Sequence, residues 1–111
     1  MKNEAETVAF HLHLLSKIID KEAHPFIKLI IEQGVTEDEY NHLIRLLDLL
    51  EDQLKKQKEA GLLDFSSLLI HFAGMLTEKL APHQTIYALK KEGYYPSLMN
   101  EFLKIMENLG D

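Results

Sequence analysis

At 111 residues the chain has the length of about one domain, and 46% hydrophobic residues are enough to build a core. Zero cysteines exclude a disulfide framework, a thiolate zinc finger, an iron–sulfur cluster and a cysteine nucleophile. Eighteen acidic against twelve basic side chains give a formal charge of −6, which repels a phosphate backbone and makes nucleic acid a disfavoured partner.

Every apolar stretch is cut by His, Lys, Asp or Glu well short of the roughly 18 residues that a bilayer demands, so no membrane span is expected. The start, Met1-Lys2-Asn3-Glu4-Ala5-Glu6, is acidic and has no long apolar run behind it. Together with the absence of cysteine, this leads to an expected cytoplasmic location. Leucine occurs twenty times and isoleucine nine, against two valines and four threonines. Residues that favour pleated strands are therefore scarce, and the expected fold class is all-α.

A first helix is expected from about Asn3 to Asp20. At about 100° per residue, Val8, Leu12, Leu15, Ile18 and Ile19 share one broad face, with His13, Ser16, Lys17 and Asp20 opposite. His24-Pro25 breaks the chain, since the residue before proline avoids the helical region. A short apolar segment from Phe26 to Gln33 then stops at Gly34. Thr36-Glu37-Asp38-Glu39 reads as a capping box that opens the longest helix, to about Ala60, with Gly61 as its stop. Glu37 and Asp38 suit the positive end of that helix, and Lys55, Lys56 and Lys58 its negative end. Glu51 with Lys55 and Asp52 with Lys56 are i,i+4 pairs on a solvated face.

Asp64 caps a fourth segment, Phe65 to Leu80, whose polar stripe of Ser67, His71, Gly74 and Glu78 is thin enough to predict a heavily buried helix. Pro82 begins a fifth, His83 to Glu92 with Gly93 as stop. Pro96 begins a sixth, Ser97 to Leu109, before Gly110. No linker, repeat or low-complexity tract interrupts the pattern. The expectation is a multihelical single domain of five to six helices spanning 1–111.

Six histidines raise the question of a metal. His11 and His13 lie two apart on a helix and point about 200° from each other, so they cannot chelate one ion. Asp38 and His42 are i,i+4, but two ligands fall short of the three or four that zinc takes. His24, His71 and His83 have no partner nearby at chelating spacing. No metal and no cofactor are expected. Ser67, His71 and Glu78 carry the letters of a hydrolase triad, yet a regular helix offers neither a strained nucleophile nor an oxyanion hole. No catalytic residue is assigned, and the chain is not expected to be an enzyme.

Residues 76–92 resemble a helix-turn-helix, with Gln84 and Thr85 near the start of the second helix to read base edges and Lys90 and Lys91 near its end for phosphates. This defines the alternative reading, a nucleic-acid-binding regulator. The nearly balanced charge of the segment and the helix that follows Gly93, where a wing would need strands, favour a plain helical hairpin.

Three stretches, His11-Leu12-His13, Pro25-Phe26 through Thr36-Glu37-Asp38-Glu39-Tyr40, and Glu92-Gly93-Tyr94-Tyr95, resemble the YhaI-like family of small uncharacterised proteins from Bacillus-type bacteria. The resemblance spans essentially the whole chain. It implies a multihelical fold that associates with itself, and it carries no catalytic residue across.

The longest helix carries more apolar surface than one neighbouring layer covers, so either other helices of the same chain or a second copy must wrap it. With Tyr40 at zero, its apolar positions run from Leu49 near 180° through Leu46, Leu50, Leu43, Leu54 and Leu47 to Ile44 near 40°, an arc of about 220° where a surface helix needs little more than about 100°. Leu46 and Leu49 lie off the Tyr40-Leu43-Leu47-Leu50-Leu54 seam. Leu46, Leu49, Leu50 and His11 are the residues expected at a contact between copies. The leading expectation is a self-associating helical module that scaffolds or regulates a protein partner.

Overall fold

The computed structural model describes residues 3–19 and 22–109, which form six helices and no strand. They are α1 (Glu4–Ile18), α2 (Pro25–Glu32), α3 (Glu37–Glu59), α4 (Ser66–Met75), α5 (Pro82–Glu92) and α6 (Pro96–Leu109). The expected ends at Asp20 and Gly110 lie outside the described residues.

The start and stop signals act locally, as the sequence leads one to expect. The Asn3 side chain accepts from the Ala5 N–H at 3.0 Å and caps α1. The capping box is complete: the Glu39 N–H donates to Thr36 Oγ1 at 3.1 Å, and the Thr36 N–H donates to Glu39 Oε1 at 2.9 Å. Gly61 and Gly93 follow α3 and α5 at φ 83° and 87°, a backbone conformation that favours residues without a Cβ.

The fourth helix departs from expectation. It ends at Met75 instead of Leu80, and Leu76 is extended at φ −68°, ψ 140°. The reason is a set of contacts that no local pattern contains. Thr77 Oγ1 donates to Glu39 Oε2 at 3.2 Å, and Lys79 Nζ reaches both Glu39 Oε1 at 2.7 Å and the Gly34 carbonyl at 3.0 Å. The turn after α4 is thereby fastened to the start of α3, and a continuous helix to Leu80 gives way. Nor is α4 heavily buried: Leu68 and Phe72 are, while Ile70, Ala73, Gly74 and Met75 are exposed.

The core forms where α3 meets α4 and α6, where α5 meets α6, and where α2 meets α5. Leu43, Leu47, Leu50 and Leu54 of α3 bury with Leu68 and Phe72 of α4 and with Leu98, Met99 and Phe102 of α6. Phe72 and Phe102 stack at 5.6 Å between ring centroids. Phe26 of α2 is fully buried beside Tyr94, 5.3 Å away, and Tyr40, 6.3 Å away.

Two polar joints hold these layers in register. The nearly buried Glu92 carboxylate accepts the Phe26 N–H at 2.8 Å and the Ile27 N–H at 3.3 Å, so the end of α5 caps the start of α2, and His24 Nδ1 lies 3.6 Å from it. Tyr95 adopts φ 48°, a left-handed conformation that is costly for a residue with a Cβ. Its phenol donates to Asp48 Oδ1 at 2.5 Å, which ties the α5–α6 corner to the middle of α3. Burial, and then the carboxylate it bonds, push that phenol's pKa up.

Replacing Glu92 by Ala leaves two N–H groups of α2 unpaired. It should cost about 2 kcal/mol in thermal or urea unfolding, the usual scale for hydrogen bonds to a charged group, with Glu92→Gln intermediate. The Lys79 ammonium and the Thr36 N–H hold the Glu39 carboxyl down at about 2, from an ordinary 4.5. A depressed carboxylate contributes stability that is complete above about 4.5 and is lost as pH falls toward about 2. Unfolding midpoints followed across that window should therefore fall less steeply in Lys79→Met than in the parent protein.

Candidate functional site

Helix α1 is the element the rest of the chain leaves uncovered. None of its residues is buried, and it packs against no other helix to the degree that the remaining five pack among themselves. The described residues accordingly extend 63 × 25 × 22 Å, with a radius of gyration of 16.7 Å. A compact domain of this length has about 13 Å.

Its sequence does not suit solvent. From Val8 to Ile19 every large apolar side chain stays open, from 42% at Leu14 to 79% at Ile18, with Phe10 at 58%. Taking Val8 as zero at about 100° per residue, these side chains run from Phe10 near 200° through Leu14, Ile18 and Leu15 to Leu12 near 40°, an arc of about 200°. Glu6, His13, Ser16 and Lys17 fill the remainder. The uncovered surface continues at the foot of α1 into a cavity of about 130 Å³ lined by Ser16, Ile19, His24, Ile27, Lys28 and Ile31.

The apolar excess on α3 resolves differently. Leu46, Leu50, Leu43, Leu54 and Leu47, which together span about 100°, are buried by the chain itself. Of the four residues expected at a contact between copies, Leu46 and Leu50 thus sit in the chain's own core, at 6% and 0% exposure. Leu49 is 46% exposed, and His11 lies exposed on α1, 5.9 Å ring to ring from Phe10. Phe10 and Leu14 complete the α1 face, although the sequence reading grouped only Val8, Leu12, Leu15, Ile18 and Ile19. Their signal was present in the width of the arc on both sides of His11.

The other constellations do not assemble. Asp38 and His42 line one side of a cavity of about 220 Å³ whose other side is Met75, Leu76 and Thr77. Among the described residues no three His, Asp or Glu side chains come together at metal-binding distance. Ser67 and His71 share α4, but Glu78 lies in the turn beyond its end. In the candidate helix-turn-helix, Gln84, Lys90 and Lys91 are exposed, whereas Thr85 is fully buried and donates back to the Ala81 carbonyl at 2.8 Å. A side chain so placed cannot reach a base edge. Among the described residues, no helix is long and apolar enough to cross a membrane.

Fold and surface together define an all-helical protein of five packed helices with a sixth, apolar arm. The family model "Protein of unknown function (DUF1878)" matches residues 1–107, and the chain belongs to that family.

The contrast between neighbouring leucines of α3 is testable. Leu49→Glu should keep the helical circular dichroism signal and shift the unfolding midpoint little, because an exposed glutamate is tolerated on a helix. Leu50→Glu should lose several kcal/mol and unfold, since its carboxylate would be buried without a partner.

Proposed function

We propose that this protein is a cytoplasmic, self-associating helical module that works through contacts, scaffolding or regulating a protein partner, and not through catalysis. The observation that carries the reading is α1. It presents seven large apolar side chains, Val8, Phe10, Leu12, Leu14, Leu15, Ile18 and Ile19, with no layer of its own chain over them. At their fractional exposures these residues leave roughly 650 Å² of surface open, just above the about 300–600 Å² of the largest patch on an ordinary monomer and near the about 800 Å² that one partner gives a standard interface.

The occupant that fits is a second copy of the chain. Two such helices can each bury the other's face, and a closed pair uses the same surface on both sides. An anionic lipid surface fits poorly, because the net charge is −6 and the first turn of α1 carries Glu4 and Glu6. The resemblance to the YhaI-like family supports the same reading, since it implies a chain that associates with itself. Of the expected contact residues, His11 falls inside the α1 face, and Leu49 is exposed on α3 where it could add to the contact.

Light scattering over a concentration series tests this. The parent protein should run as a dimer or larger species at micromolar concentration. Leu15→Glu should weaken association by about 100-fold or more while leaving the unfolding midpoint of the five-helix body unchanged, because Leu15 touches no core. A parent protein that is monomeric throughout, or a Leu15→Glu variant that associates as the parent does, would refute the reading.

A further inference from the structure

The cavity at the foot of α1 takes its walls from two helices. Ser16 and Ile19 come from the end of the arm, and Ile27, Lys28, Ile31 and Glu32 from α2. Three of its seven lining residues are isoleucines, so its body is apolar. It also lies to one side of the α1 face: with Val8 at zero, Ile19 falls near 20° and Ser16 near 80°, whereas the apolar arc is centred near 300°. The cavity shares only Ile19 with that face, and what it binds does not depend on self-association.

Volume sets the size of what fits. The cavity measures about 130 Å³. An apolar cavity of about 150 Å³ takes one molecule the size of benzene, which puts the occupant here at about six or seven non-hydrogen atoms. Drug-sized ligands and cofactors need about 300–1,000 Å³ and are too large.

Charge sets its class. Lys28 Nζ and Glu32 Oε2 lie 3.8 Å apart, one cation beside one anion. The Glu92 carboxylate is 3.6 Å from His24 Nδ1, and it already accepts the Phe26 and Ile27 N–H groups. A cationic ligand meets Lys28 unless that pair opens, and an anionic one meets Glu32 and Glu92. An uncharged molecule meets neither cost. One polar contact remains on offer. Ser16 Oγ donates to the His13 carbonyl at 2.6 Å, which uses its hydrogen and leaves its lone pairs free to accept from a ligand hydroxyl.

We infer that the foot of the arm is a binding site for a small uncharged alcohol or phenol with an apolar body, about six or seven non-hydrogen atoms in all. Its occupant touches isoleucines of the arm and of α2 together, and so fastens the arm to the body. Helix α1 packs on no other helix as the remaining five pack on one another. A molecule held between Ile19 and Ile31 therefore adds a contact that the chain by itself has little of.

Titration of cyclohexanol into the full chain, followed through assigned isoleucine methyl resonances, tests this. Ile19, Ile27 and Ile31 should shift together and saturate with a dissociation constant of about 1 mM, the scale for so few atoms. Ile18, 79% exposed on α1 and outside the cavity, should stay in place. Cyclohexylamine and pentanoate, of the same size but charged near neutral pH, should bind at least about 10-fold more weakly. Ser16→Ala removes the acceptor and should weaken cyclohexanol by about five-fold. Ile31→Trp should fill the cavity and abolish the Ile19 shift; Ile31 is 59% exposed, so the variant should keep the parent's circular dichroism signal. Shifts that do not saturate, that reach Ile18 equally, that leave Ile19 unmoved or that survive in Ile31→Trp overturn the inference. So does a charged analogue that binds as tightly as cyclohexanol, and a Ser16→Ala variant that binds cyclohexanol like the parent removes the hydroxyl from the assignment.

Discussion

The leucine seam of α3 decides what every other helix can do. Leu43, Leu47, Leu50 and Leu54 must be taken out of water together, and α4 and α6 supply the cover, with Phe72 and Phe102 meeting over it. Helix α5 then lies on α6, and α2 on α5. Each helix buries a stripe of the usual width by the time this sequence closes. Nothing remains to cover α1, whose apolar arc is nearly as wide as that of α3, and an arm is the result.

Polar contacts set the geometry of that body more than they add to its stability. Glu92 caps α2 from 66 residues away, and the Lys79–Glu39 pair crosses 40 residues to join the turn after α4 to the start of α3. Both replace water at helix ends, where backbone groups have no partner within the helix. Tyr95 shows the same logic under load. A left-handed residue before Pro96 is costly, and its hydrogen bond to Asp48 helps hold the corner that brings α6 back along α3.

The functional reading grows from the unevenness of this arrangement. Five helices satisfy one another, and the sixth presents Phe10, Leu14, Leu15 and Ile18 around a single histidine. Apolar surface of that extent is characteristic of contact sites, and the self-association proposed above is built on it.

Local signals were legible in the sequence. Asn3, the Thr36–Glu39 box, Gly61, Pro82, Gly93 and Pro96 each act within a few residues of themselves, through hydrogen-bond reach or backbone freedom, so the order letters appear in suffices to place six helices. The breadth of the apolar arcs was legible too. Which arc the chain would cover itself was not, because a leucine at 100° spacing reads the same whether a neighbouring helix arrives or fails to. Tertiary packing put Leu46 and Leu50 inside, left Leu49 at the surface, and stopped α4 at Met75 for the sake of a lysine and a threonine bound to Glu39. It also left α1 bare. Coverage depends on how many helices converge on one seam in space, a quantity fixed by contacts between distant residues and absent from any local window of sequence.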